Sequence, residues 1–158
     1  MFEVGQRIVY PLHGLAIVKK IIEKEVEDES LKYYVIEIPR EELMVKVPIK
    51  NAEGIGIRKV ISSDEVAGVF KIFLKGKSKM AKNWNRRFKR NIERMKTNDI
   101  TKIAEVVRNL SLKKKDSGLS IREKRMLEKA KGILISEIAC AQDINEKEAL
   151  SEVESYFI

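Results

Sequence analysis

The chain has 158 residues, 44% of them hydrophobic and 35% charged, with a net charge of +8. That length suits one ordinary domain or two small ones, and the absence of any run of 18 apolar residues excludes a membrane-spanning helix. The single cysteine, Cys140, excludes an internal disulfide, and the single histidine, His13, with no cysteine or carboxylate cluster beside it, excludes a zinc site.

The N-terminus, Met1-Phe2-Glu3-Val4-Gly5, has neither a basic region nor an apolar one after it, so no secretory signal is expected and a cytoplasmic location is. The first sixty residues read as β. A strand over residues 4–10 ends at Pro11, and the chain restarts at Gly14 into Leu15–Ile22. Glu25–Ser30 reads as a charged turn. Leu31–Ile38 is rich in β-branched and aromatic residues, Pro39–Glu42 is a break, and Leu43–Val47 stops at Pro48. Short strands with tight breaks predict a small antiparallel barrel or a strongly curved sheet. In the last strand Met44 and Lys46 share one face while Val45 and Val47 share the other, so Lys46 points outward. Lys24 falls at the far end of the long second strand. On spacing alone both lysines read as solvated.

From residue 62 the period becomes helical. Ser62 and Glu65 form a capping box ahead of Val66, Val69, Phe70 and Phe73. Residues 75–82 are a polar linker. The expected division is therefore a β domain over 1–61 and a helical domain over 62–158. The latter begins with a helix at 62–74 and continues, after the linker, into a basic bundle of about four helices over 83–158. The overall class is α+β. In the bundle, Trp84, Phe88, Ile92 and Met95 make one stripe, and Ile100, Ile103, Val107 and Leu110 another. Lys113, Lys114 and Lys115 suit a helix C-terminus. Gly118 breaks the chain, and Ser120 with Glu123 reads as a second capping box before a long helix with Met126, Leu127, Ala130, Ile133, Leu134, Ile138 and Ala141 inward. A last acidic helix starts near Asn145. Cys140 reads as a buried thiol.

The charge is strongly polarised. Residues 1–70 hold 10 Lys/Arg against 12 Asp/Glu, residues 71–131 hold 21 against 6, and residues 132–158 hold 1 against 6. Such a block points to a polyanion for the middle third. Enzyme signatures are missing: His13 and Cys140 fall in different domains, and Gly54-Ile55-Gly56 lacks the rest of a phosphate loop. No cofactor is expected. Within Asn83-Trp84-Asn85-Arg86-Arg87-Phe88-Lys89-Arg90, the cations Arg86, Arg87, Lys89 and Arg90 point around more than one helix face, which suits phosphate contact with little base reading. Periodicity leaves Trp84 open between the end of a core stripe and an apolar wedge for the minor groove.

The chain resembles the CarD/CdnL family of bacterial transcription regulators. The resemblance rests on Val4-Gly5, Val9-Tyr10-Pro11, His13-Gly14, Val47-Pro48, Asn51-Ala52-Glu53 and Gly56-Ile57-Arg58 in the first domain. In the second it rests on Asn83-Trp84, Arg86-Arg87, Ala104-Glu105-Val106-Val107-Arg108, Gly118-Leu119-Ser120 and Glu123-Lys124-Arg125-Met126-Leu127. These motifs span nearly the whole chain in order. The resemblance implies a Tudor-like first domain that adds to an edge strand of the RNA polymerase β subunit at its lobe. It implies a helical second domain that contacts promoter DNA near the −10 element and stabilises the open complex. Trp84 falls at the family's wedge position. Arg86, Lys89 and Lys124 fall at its DNA-backbone positions. Lys24 and Lys46 fall at polymerase-contact positions where family members carry arginine, and lysine keeps the charge but loses the bidentate fork. The resemblance also implies a protein drawn to the nucleoid through polymerase. A monomer is expected, with exchange of the first domain's strands between chains as the alternative. The competing reading is a free-standing, sequence-nonspecific nucleic-acid-binding protein, including one acting on RNA.

Overall fold

A computed structural model describes all 158 residues, which form two compact units, Met1–Val60 and Ile61–Ile158.

The first unit is one antiparallel sheet built from β1 (Arg7–Tyr10), β2 (Gly14–Val26), β3 (Glu29–Ile38), β4 (Leu43–Pro48) and β5 (Arg58–Lys59), with a short helix, α1 (Ala52–Ile55), before the last strand. The strand order is β4-β3-β2-β1-β5. This corrects the expected barrel: the sheet is open, with β4 and β5 on opposite edges. Closure needs edge strands that can pair along their length. Here β5 has two residues, matched only to Ile8 and Val9, while β2 and β3 run on as a ribbon past the end of β4. One face carries an apolar cluster, with Ile8, Val18, Tyr34, Ile36, Ile38 and Val47 buried together and Ala52 and Ile57 closing over them. The Tyr34 hydroxyl accepts a hydrogen bond from the Phe2 N–H at 2.8 Å, so the buried ring keeps its polar end satisfied.

The charged turn is also shorter than expected. The β2–β3 ladder continues through Glu25 opposite Ser30 and Val26 opposite Glu29, leaving only Glu27 and Asp28 in the bend. Their φ values of 51° and 64° make a two-residue turn whose twist matches the strands. The charges of this ribbon are solvated, so polarity did not signal a loop.

The second unit holds α2 (Ser63–Leu74), α3 (Trp84–Lys96), α4 (Ile100–Asp116), α5 (Ile121–Gln142) and α6 (Glu146–Ser155). α4 is the centre, in contact with α2, α3 and α5. Ile103, Ala104, Val106, Val107 and Leu110 are fully enclosed because α4 meets neighbours on several sides. Ser62 and Glu65 form a reciprocal box at the start of α2. At the other end of the unit, Phe70 and Phe73 of α2 pack against Tyr156 and Phe157, with Phe70 stacked on Tyr156 at 5.3 Å. Gly118 ends α4 at φ +83°, and its N–H returns to the Lys113 carbonyl at 3.0 Å. Lys113 itself donates to the Gly118 carbonyl at 2.9 Å. Cys140 is half-buried, and the His13 ring pairs with the Glu41 carboxylate and lies edge-on to Tyr10.

Several buried polar groups had no periodic signature. In α3 the enclosed residues are Asn91, 1% exposed, and Met95, whereas Phe88 and Ile92 are half-buried. Arg94 donates to the Asn91 side-chain oxygen at 3.0 Å. Glu137 of α5 is fully enclosed and accepts the Ile61 N–H at 2.9 Å. Arg108 of α4 is buried as well. Its Nε donates to Asn109, its Nη1 to the Ile72 carbonyl at 3.3 Å and its Nη2 to the Ser78 hydroxyl, while the Ser78 N–H donates to Asn109 at 3.1 Å. These bonds pin the linker between α2 and α3 onto α4. Burial holds the Arg108 guanidinium below its usual range, nearby Glu105 opposes the shift, and Arg94 adds to it.

Candidate nucleic-acid interface

The first turns of α3 and α5 lie side by side. Each is capped by its own side chain: Asn83 accepts the N–H groups of Asn85 at 3.0 Å and Arg86 at 3.2 Å, and Ser120 accepts that of Glu123 at 3.2 Å. The expected box at Ser120 is only half made. The Glu123 carboxylate lies toward the Ser120 backbone but is held chiefly by Arg87 of α3 in a two-point pair, Nε to Oε2 at 2.8 Å and Nη2 to Oε1 at 3.1 Å. The Ser120 hydroxyl donates to the same carboxylate at 3.3 Å. Arg87 Nη1 also donates to the Ala81 and Lys82 carbonyls at 3.3 and 3.4 Å. One guanidinium thus ties the end of the linker, the start of α3 and the start of α5.

Glu123 is 1% exposed, so the pair is buried. Burial by itself would raise the Glu123 pKa. The hydrogen bonds and charge of Arg87 outweigh it, Lys113 and the Ser120 backbone add to them, and the carboxyl lies below the ordinary glutamate range. The Arg87 value is raised, chiefly by the same hydrogen bonds. The pair is a fixed, charged joint between two helix ends.

Around this joint the other side chains are exposed. Trp84 is the first residue of α3 and 42% exposed. Its ring meets Phe88 edge-to-face at 6.2 Å, so Phe88 supports one side of a partly exposed indole. Arg86, Lys89 and Arg90 of α3 and Arg122 and Lys124 of α5 are exposed. At about 100° per residue, Arg122 and Lys124 project on either side of the inward Glu123. The first turn of α3 contains Arg86 and Arg87 and no acid. Cations there oppose the helix dipole, an arrangement that an external anion relieves.

The structure therefore brings together, on two helix ends, Trp84, Arg86, Lys89 and Lys124. It gives Arg87, grouped with them from sequence, an internal partner instead of a free surface. It adds Arg122, which sequence reasoning passed over. Its guanidinium lies 4.4 Å from the centre of the Phe88 ring and 5.7 Å from that of Trp84. The available signal was a cation in the unfavourable first turn of a helix, but its ring partners lie on another helix.

The remaining two site candidates lie in the sheet. Lys46 is on β4 opposite Val35, and Lys24 is on β2 opposite Leu31. Val35 and Leu31 share the outer face of β3, and the two lysine side chains meet there. Hydrogen bonding from Lys24, and then its charge, hold the Lys46 amine below the usual lysine range. No carboxylate pairs with either. β4 is also the open edge of the sheet, and its Leu43 and Met44 are exposed.

No group of three or more His, Cys, Asp or Glu side chains is placed to hold a metal ion, and no helix is long and apolar enough to cross a membrane. Two family models account for nearly all of the chain. Residues 2–61 match the CarD-like/TRCF RID domain and residues 68–154 match the CarD C-terminal domain. Over 151 residues the chain is 38% identical to the Bacillus subtilis (strain 168) protein named "Putative transcription factor YdeB", covering 96% of this chain and 99% of that one. The chain belongs to the CarD family of transcription regulators.

Proposed function

We propose that this CarD-family regulator holds the RNA polymerase β subunit, at its lobe, through the β unit, and promoter DNA near the −10 element through the helical unit. It stabilises the open complex by placing Trp84 in the minor groove at the upstream edge of the bubble. The observation that carries this reading is the half-exposed Trp84 at a helix end fixed by the Arg87–Glu123 joint and ringed by cations. A core tryptophan would lie deeper in the α3 stripe, where Met95 and Asn91 are. Arg86, Lys89 and Lys124 take phosphates. Arg87 contributes by holding the two helix ends together.

On the polymerase side, β4 offers a six-residue unpaired edge, the feature that strand addition requires. Lys46 on that strand and Lys24 beside it face an acidic partner. Tethering through this edge raises the local concentration of the helical unit at one DNA position, so the wedge need not bind tightly alone. A contact about 1.4 kcal/mol better on open than on closed DNA shifts the equilibrium about tenfold.

Two measurements test the reading. An isolated β lobe should bind the chain, and Trp84→Ala should shorten open-complex lifetime about tenfold, within the range for losing one aromatic–base contact. Absence of lobe binding, with DNA binding intact, would leave a free-standing nucleic-acid-binding protein. An unchanged lifetime would remove the wedge.

A further inference from the structure

Arg122 is exposed, yet its guanidinium is not idle. It stands 4.4 Å from the Phe88 ring centre and 5.7 Å from that of Trp84, in the angle between two rings set at 72°. No carboxylate competes for it, because the neighbouring Glu123 is committed to Arg87. That commitment also sets the position of Arg122. The Arg87–Glu123 joint fixes the first turn of α5 against the first turn of α3, and Arg122 is the residue immediately before the joint. A planar, weakly hydrated guanidinium stacks on an aromatic face in a way an ammonium does not reproduce.

We infer that Arg122 is a positioning residue for Trp84. It clamps the indole against Phe88 in one orientation before DNA arrives, so that less side-chain freedom is lost when the ring enters the groove. The inference rests on the wedge reading above and names a residue that reading does not include. Arg122 acts here through Trp84, unlike Arg86, Lys89 and Lys124, which act on phosphates directly.

Trp84 is the only tryptophan, so its fluorescence reports the clamp in the free, full-length protein without DNA. Arg122→Ala should raise quenching by neutral acrylamide and increase the fast component of tryptophan anisotropy decay. Arg122→Lys should keep the local charge, read as an unchanged ratio of iodide to acrylamide quenching, but should still raise acrylamide quenching. Both substitutions are on the surface and should leave thermal stability nearly unchanged. On the polymerase–promoter complex, Arg122→Ala should shorten open-complex lifetime about two- to fivefold, the scale of an exposed cation–π contact. Arg122→Lys should recover only part of that loss. In the Trp84→Ala background, Arg122→Ala should have no further effect.

Unchanged fluorescence in Arg122→Ala would overturn the clamp. So would additive losses in the double variant, because an independent phosphate contact does not need Trp84. If Trp84→Ala shortens the lifetime and Arg122→Ala does not, the clamp fails and the wedge stands. If Trp84→Ala has no effect, the wedge itself fails, whatever the fluorescence shows.

Discussion

The two units handle positive charge in opposite ways. In the helical unit, three of the arginines are held by the protein itself. Arg87 has Glu123 and two carbonyls, Arg122 has two rings, and Arg108 has the linker. In the sheet, Lys24 and Lys46 have only each other, and Lys24 disfavours the charge of Lys46. The first arrangement is preorganised: its internal pairs shape a surface and leave selected groups free. The second is unrelieved: its electrostatic cost is removed when an anionic partner arrives. Substitutions in the helical joint should therefore damage fold and binding together, whereas those at the lysine pair should damage binding alone.

The largest effect is expected at the joint. Glu123→Ala leaves Arg87 in a mostly enclosed site without its counter-charge and should cost about 3–5 kcal/mol in urea denaturation. A loss within about 1 kcal/mol would make the joint no stronger than a surface ion pair and erase the contrast between the units. The pH dependence has a defined sign. Because the folded Glu123 pKa is depressed, its stabilisation is complete above the ordinary glutamate value and is lost as pH falls through the depressed one. Glu123→Gln should remove that acid-limb sensitivity.

Next in size is the linker clamp. Arg108→Ala leaves the Ile72 carbonyl and the Ser78 hydroxyl without their donor and should cost about 2–3 kcal/mol. Trypsin should then cut faster within residues 75–82, which contain four lysines. Unchanged cleavage would show that the linker is held by other contacts.

Trp84→Ala separates fold from function within the helical unit. Its partly exposed ring loses the Phe88 contact, worth about 1 kcal/mol, while open-complex lifetime falls about tenfold. A stability loss of several kcal/mol instead would make Trp84 a core residue and move it to the Glu123 side of the comparison.

The smallest structural effect belongs to the lysines. Lys46→Ala should weaken binding to the β lobe about threefold to tenfold, the scale of one or two lost charge contacts, with no fall in melting temperature. Lys24→Ala should return the Lys46 amine towards the usual lysine range in a side-chain NMR titration. The sign is the same as that of Glu123: with a lowered lysine pKa, repulsion in the folded state is relieved, and stability rises, as pH rises through that value. An unmoved Lys46 titration would show that the two ammonium groups do not meet.

Local rules were sufficient for much of this protein. The Ser62–Glu65 box, the Ile103–Val107–Leu110 stripe and the outward Lys46 against inward Val47 all depend on residues a few positions apart, and all were legible in the sequence. The same holds for the choice of Trp84 as the residue to explain, since a lone indole among cations is a local anomaly. What the sequence by itself could not decide lay in pairings across long separations. Arg87 meets Glu123 36 residues away, and Arg122 meets Phe88 and Trp84 from another helix. Glu123 carried a complete local explanation as half of a capping box, and nothing local pointed to the tertiary partner it also holds. Asn91 is buried although apolar periodicity favoured Ile92, with Arg94 donating to its side-chain oxygen. The sheet stayed open because strand alternation specifies which side chains face the core and says nothing about whether the first and last edges can reach each other. Period is a property of one element and can be read from it. Register, edge closure and the partner of a buried charge belong to two elements at once, and only the folded chain decides them.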